Sequence, residues 1–246
     1  MQYRPSRNAA LVILLLLLAM PFIGGTASAR DLPPIKTVGI VSDVGDKIRL
    51  QHIGFMVFSN KLTVGEFPDW QMDAHIKSAI ESALKDRYEF RAVDFPKGGI
   101  APELGGFQFS GPSPEKNMRE HAKPADGQPI DAYVVVWPHR REVYPTNQQV
   151  EGLGLLTQGE RARLYMALAV TLIDGRTFEE IDACGARIRD VSMWSPDASY
   201  MNDAPDLYAE SFEAMTPEQK QALEQGLKSM VSEGIAYCMR DLKLAP

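Results

Sequence analysis

Residues 161–173, RARLYMALAVTLI, set Leu164, Met166, Leu168, Val170 and Leu172 at every second position. Alternation of that length predicts a β-strand with one buried face. Asp174-Gly175 follows, a pair suited to a two-residue hairpin turn. Residues 178–189, FEEIDACGARIR, then return antiparallel. With Ile173 opposite Arg176, Leu168 falls opposite Ile181 and Met166 opposite Ala183. One face of the hairpin is then apolar, and Cys184 points to the other face beside Tyr165. The apolar face needs a cover. Residues 217–242 supply one, because Leu223, Leu227, Met230, Val231, Gly234, Cys238 and Leu242 share a helix face. Thr216 is the expected N-cap, with Glu218 and Gln219 in the first turn.

The remaining elements follow the same rules. Residues 35–41 read as a strand apolar on both faces, and 47–58 as a strand whose phase shifts near Gly54, the mark of a β-bulge. Residues 68–86 read as a helix opened by Pro68 and Asp69, with Met72, Ile76, Ile80 and Leu84 in one stripe. A strand is expected at 88–95, and a buried one at 131–137, DAYVVVW. Between them, residues 96–129 are rich in glycine and proline and hold one short helix, 114–123, capped by Ser113. A loop of that length is commonly functional, so a binding lid is expected there. Residues 138–150 and 190–216 read as loops, the second carrying Trp194, Tyr200, Tyr208 and Phe212. The order predicts a two-layer α/β sandwich, with two main helices on a mixed sheet of about five to six strands.

The amino terminus is read apart from that fold. Arg4 and Arg7 precede a 12-residue apolar run, Ala9–Met20, and Thr26-Ala27-Ser28-Ala29 offers a small-residue cleavage site. This pattern fits a cleavable secretory signal over residues 1–29. The run is short for a membrane span, which takes about 20 apolar residues, so no stable span is expected after cleavage. Removal takes two arginines and no acid, leaving a single domain, 30–246, with the insertion at 96–129 and a net charge of −8 in place of −6. An acidic chain without a basic run argues against nucleic acid as a partner. Export to the periplasm or beyond would let Cys184 and Cys238 pair, and two buried thiols fit equally well.

Motif chemistry is sparse. In GIVSDVGDK, residues 39–47, the glycines have the wrong spacing for a phosphate loop and no histidine follows Asp43 at metal spacing. Its Ser, Asp and Gly positions predict a hairpin turn between the first two strands, with Gly45 at positive φ. Asp73 on the 68–86 helix suits the free N–H groups of the first turn, and His75 the edge of the stripe. His52, His75, His121 and His139 fall on different elements, so no metal site is expected. No nucleophile elbow or dinucleotide fingerprint occurs, and no cofactor is expected. Glu179, Glu180 and Asp182 read as solvated charge. His139, Arg140 and Arg141 follow a buried strand directly, where residues of α/β folds line sites, and an anion contact there competes with a plain solvated loop.

PIDAYVVVW, residues 129–137, followed by LYMALAVTLIDGRTFEEI, residues 164–181, resembles the strand pattern of small envelope proteins. These are the amino-terminal domain of the Tol-Pal translocation protein and the curli-secretion type of lipoprotein. The chain departs from them in lacking a cysteine near the cut and in carrying the 96–129 insertion. GIVSDVGDKIRLQHIG with FPDWQMDAHI resembles a group of uncharacterised exported proteobacterial proteins. That second similarity names no activity. The first reading of the chain is a non-enzymatic binding or envelope-assembly accessory protein, acting on an envelope protein or small ligand. The expected contacts are His139, Arg140, Arg141, Trp194 and Tyr200, with exposed aromatics as anchors. Two alternatives stand beside it: a metal-dependent hydrolase or phosphoesterase using Asp43, Asp46 and His52, and a small-ligand carrier with an apolar cavity beneath residues 96–129.

Overall fold

The strand foreseen at 161–173 runs from Arg161 to Asp174, and the main sheet is built outward from it. The computed structural model describes residues 34–54, 59–100, 113–146, 148–190 and 196–246. Its strands are β1 (Thr37–Ser42), β2 (Lys47–Ile53), β3 (Lys61–Glu66), β4 (Glu89–Arg91), β5 (Val93–Asp94), β6 (Lys123–Pro124), β7 (Ala132–Pro138), β8 (Arg140–Val143), β9 (Gln148–Gln158), β10 (Arg161–Asp174), β11 (Glu180–Gly185) and β12 (Met201–Asp203). Its α-helices are α1 (Met72–Leu84), α2 (Pro114–His121) and α3 (Pro217–Asp241). Residues 34–246 form one compact unit.

Each half of β10 has different neighbours. From Arg161 to Ala167 it pairs antiparallel with β9, and Arg163 to Tyr165 also pair with β12. From Leu168 to Asp174 it pairs with β7, and Ala169 to Ile173 also pair with β11. The exchange happens at one point. There β7 runs on through Pro138 into β8, which leaves β10 and pairs with β9. His139 N donates to Ala167 O at 2.8 Å, and Gly152 N donates to His139 O at 3.4 Å. The resulting sheet has ten strands in the order β3-β2-β9-β10-β7-β1-β4, with β11 and β12 on β10 and β8 on β9.

The two faces of β10 differ. Its even positions carry Leu164, Met166, Leu168, Val170 and Leu172, all buried, and face α3. A Cβ at Gly234 of α3 would strike Met166 Cε, so glycine lets the helix lie close to the strand. Packing of α1 against α3 and β1 completes this layer, and His75 Nε2 lies 3.0 Å from both Lys228 O and Ser232 Oγ. On the opposite face Tyr165 and Ala167 join one apolar cluster, and Ile173 joins another that includes Ile100 and Met118. Thr216 caps α3 as expected, in a reciprocal bond pair with Gln219.

Several expectations are corrected. The sheet has ten strands, not five to six, because β3, β8 and β9 fall where glycines and charges masked the alternation and β12, in the segment read as a loop, is only three residues long. GIVSDVGDK does not join paired strands: β1 pairs parallel with β7 and β4, while β2 pairs with β3 and β9. The cause is burial. The middle of β1 is covered on both sides and suits an interior place, whereas β2 alternates buried Ile48 and Leu50 with half-buried Lys47, Arg49 and Gln51. Gly45 does take a positive φ, of 73°.

The turn after β10 is longer than two residues. Asp174 accepts from the N–H groups of Arg176 and Thr177 at 2.8 and 2.9 Å, and Phe178 adopts φ 57°. The register therefore slides by an odd number of residues, and Cys184 lies opposite Val170 on the α3 side, not beside Tyr165. There it is joined to Cys238 of α3, with Cα atoms 5.6 Å apart. This cross-link spans 54 positions. Replacing both cysteines by serine is expected to lower the unfolding free energy by about 2–4 kcal/mol. Urea unfolding of oxidised, reduced and doubly substituted protein measures it, and the last two should coincide.

A charged cleft as the candidate functional site

The odd positions of β10 become small near its centre. Ala169 and Thr171 face away from α3, and Ala183 and Gly185 of β11 lie directly opposite them. These four residues floor an open cleft of about 970 Å³. Trp137 of β7 forms one wall, its Nε1 donating to Thr171 Oγ1 at 3.2 Å and its ring edge-on to His139 at 5.7 Å between centroids. Ser113 and the first residues of α2, Pro114 and Glu115, line it as well. Ser113 caps that helix, with Lys116 N donating to its Oγ.

One end of the cleft is basic. His139, Arg140, Arg141 and Arg187 line it, together with Glu142. Arg141 is the best held. Its Nη2 donates to Ala186 O at 3.3 Å, its guanidinium carbon sits 5.1 Å from the centroid of the Tyr200 ring, and Tyr200 OH donates to Glu142 O. A Cβ at Gly185 would strike Arg141 Nη2, so glycine there leaves room for the guanidinium. Arg141 Nε is buried and has no hydrogen-bond partner, and among the described residues no carboxylate pairs with Arg141. Burial and then the neighbouring Arg187 charge hold its pKa below the ordinary value. Burial, followed by Arg141, likewise lowers His139. Arg140 reaches the other way, its Nε 3.1 Å from Glu151 Oε2, and Arg49 meets the same carboxylate at 3.2 Å.

The other end is acidic. Glu180 and Glu115 line it. Burial pushes the Glu180 carboxyl up, and the charges of Glu115 and Asp182 push it further. Among the described residues no cation pairs with Glu180.

His139, Arg140, Arg141 and Tyr200 therefore share one cleft. Tyr200 is 3% exposed and supports Arg141, so it does not serve as the exposed aromatic expected of a loop anchor. Trp194 lies outside the described residues. Arg187, Glu180, Glu115 and Trp137 were missed. Glu180 is exposed, as solvated charge should be, but its facing toward the cleft was hidden because the turn preceding it, and with it the register of β11, was misplaced. The available signal was the run of small residues at 167, 169 and 171 of β10, which leaves space on that face. Of residues 96–129, beneath which a carrier cavity is expected, 101–112 lie outside the described residues, and Ile100 and Met118 are each 0% exposed in one apolar cluster.

No family model matches the chain, and no curated protein does. Among solved structures the chain is similar to a crystal structure of a Xanthomonas campestris protein described under the family model DUF330. The identity is 10%, the TM-score 0.37, and the match spans 88% of this chain and 90% of that one. A likeness that loose carries no argument about the site. The envelope resemblances rest on the strand pattern alone.

Of the residues of the hydrolytic alternative, Asp43 and Asp46 line one pocket together with Arg49 and Lys97, and His52 is not brought to it. Asp43 is 7% exposed, and its carboxylate accepts from the N–H groups of Gly98 and Ile100, the second at 2.7 Å. Asp46 lies 3.5 Å from Lys97 Nζ. His52 sits at the far end of β2, about 20 Å along the strand from Asp46, with its Nδ1 3.0 Å from Thr157 Oγ1. Among the described residues no group of three or more His, Cys, Asp or Glu side chains is placed to hold a metal ion. Asp73, expected to serve its own helix, instead accepts from Ser42 Oγ, Val44 N and Gly45 N, which fixes the β1–β2 connection. Asp43 thus works as a clamp on the segment that delivers Ile100 to the core. Asp43→Ala is expected to lower the unfolding free energy by about 2–4 kcal/mol, since two N–H groups lose their acceptor. Chemical denaturation measures the loss, and a change below about 0.5 kcal/mol would contradict the clamp.

Proposed function

We propose that the chain is exported and acts, in the periplasm or outside the cell, as a non-enzymatic binding or envelope-assembly accessory protein. Its binding site is the cleft over β11, β10 and β7, and Arg141 takes an anionic group of the partner there. The observation that carries this reading is the Arg141 guanidinium. It is partly buried, lies over the Tyr200 ring with its carbon 5.1 Å from the centroid, and among the described residues has no carboxylate partner. An unpaired charge kept in such a place costs stability, and a bound carboxylate or phosphate would offset that cost with charge-assisted hydrogen bonds. Export is supported by the sequence of residues 1–29 and by the cysteine pair, which fits an oxidising compartment.

Two measurements test the reading. Fractionation of cells with mass analysis of the mature chain should find it exported and cut after Ala29. Titration with N-acetyl-tetra-alanine, whose carboxylate is its sole charge, should show binding that Arg141→Ala weakens about tenfold or more, the worth of a charge-assisted bond. Equal affinity in both proteins would remove Arg141 from the site.

A further inference from the structure

The cleft has two ends of opposite sign, and among the described residues Arg141 at one and Glu180 at the other have no ion-pair partner. Gly185, beneath the Arg141 guanidinium, lies opposite Ala169, while Glu180 lies opposite Ile173. Four steps of β10 separate those positions, about 13 Å at strand spacing. The floor between them is Ala169, Thr171, Ala183 and Gly185, low enough to admit an extended chain, and Trp137 walls one side. From these placements we propose that the ligand is a zwitterion of peptide length. Its carboxylate meets Arg141 and Arg187, and its ammonium meets Glu180 and Glu115. An extended peptide gains about 3.3–3.6 Å per residue, so three to four residues with free termini span the two ends. A headgroup such as phosphoethanolamine joins its charges by two carbons and cannot reach both.

The flanking groups fit this assignment. Arg187 extends the basic end and itself lies over the Tyr237 ring, 5.6 Å from the centroid. Glu115 accepts from Ser113 Oγ at 2.8 Å, which holds its carboxylate at the start of α2. An ammonium placed there would relieve the mutual repulsion that raises Glu180. Trp137 adds an aromatic surface along the path between the two charges.

This inference rests on the anion reading of Arg141, and one set of titrations separates the two. Tetra-alanine, N-acetyl-tetra-alanine, dialanine and O-phosphoethanolamine are titrated into the full chain and its variants. Tetra-alanine is expected to bind about fivefold more tightly than its acetylated form, the worth of a partly exposed ion pair. Glu180→Gln should abolish that difference and leave the acetylated peptide unaffected. Dialanine, too short to bridge, should bind no better than the acetylated peptide. Equal binding of the free and acetylated tetrapeptides by the native protein overturns the zwitterion while leaving the anion reading in place. Tighter binding of O-phosphoethanolamine than of tetra-alanine overturns the peptide assignment. Failure of every probe to bind overturns both readings. Arg141→Lys keeps the charge without the flat fork and serves as the conservative control. It should retain the fivefold preference at reduced affinity.

Discussion

The structure depends on the division of labour between the two faces of β10. Large residues on one side fill the space against α3, and small ones on the other leave space unfilled. A strand of this length also spans two different sets of neighbours, so the two halves of the sheet meet along it. The junction at His139, Ala167 and Gly152 is where one chain leaves β10 and another arrives. Any displacement of α3 would move β10, and with it the floor of the cleft. The capping box at Thr216 and the close approach at Gly234 are therefore as much a part of the site's geometry as its own walls.

The cleft itself is a consequence of that asymmetry. On the outer face, Tyr165 and Ala167 belong to one apolar cluster and Ile173 to the other. Ala169 and Thr171 lie between them, and neither is large enough to close the gap. Charges gather at the two margins because the strands that pass there, β8 and β11, each turn one face to water. Glu180 stands exposed at one end, and Arg141 is left part-buried and without a carboxylate partner at the other, which folded proteins seldom do with a charge unless something meets it.

Much of this was legible in the sequence, and the failures have physical reasons. Alternation over 161–173 fixed the strand and its large-residue face, and Thr216, Ser113 and the 217–242 stripe located their helices, because capping and periodicity are local. Pairing is not local. Alternation repeats every two residues, so it constrains register only modulo two, and the loop after Asp174 shifted it by an odd number. Cys184 then changed faces and met Cys238. In the same way the turn chemistry of GIVSDVGDK was read correctly at Gly45, yet the partners of β1 and β2 were chosen by burial elsewhere. The site was half legible. His139 to Arg141 stood out by following a buried strand, while Glu180 and Arg187 became neighbours of that stretch only through the pairing of β11 with β10.

The position of β11 has a further consequence, for solubility. Among the described residues β11 pairs with β10 alone and is an edge strand of the sheet, the kind of edge at which another strand could add. Three acids occupy positions 179, 180 and 182 at its start, and its pairing is irregular at Leu172 and Ile173. Charge and irregular pairing are the devices by which exposed sheet edges resist adding strands indefinitely. The acid that marks one end of the cleft thus also helps keep the sheet from growing into an aggregate, and the removal of its charge would be felt first at high protein concentration.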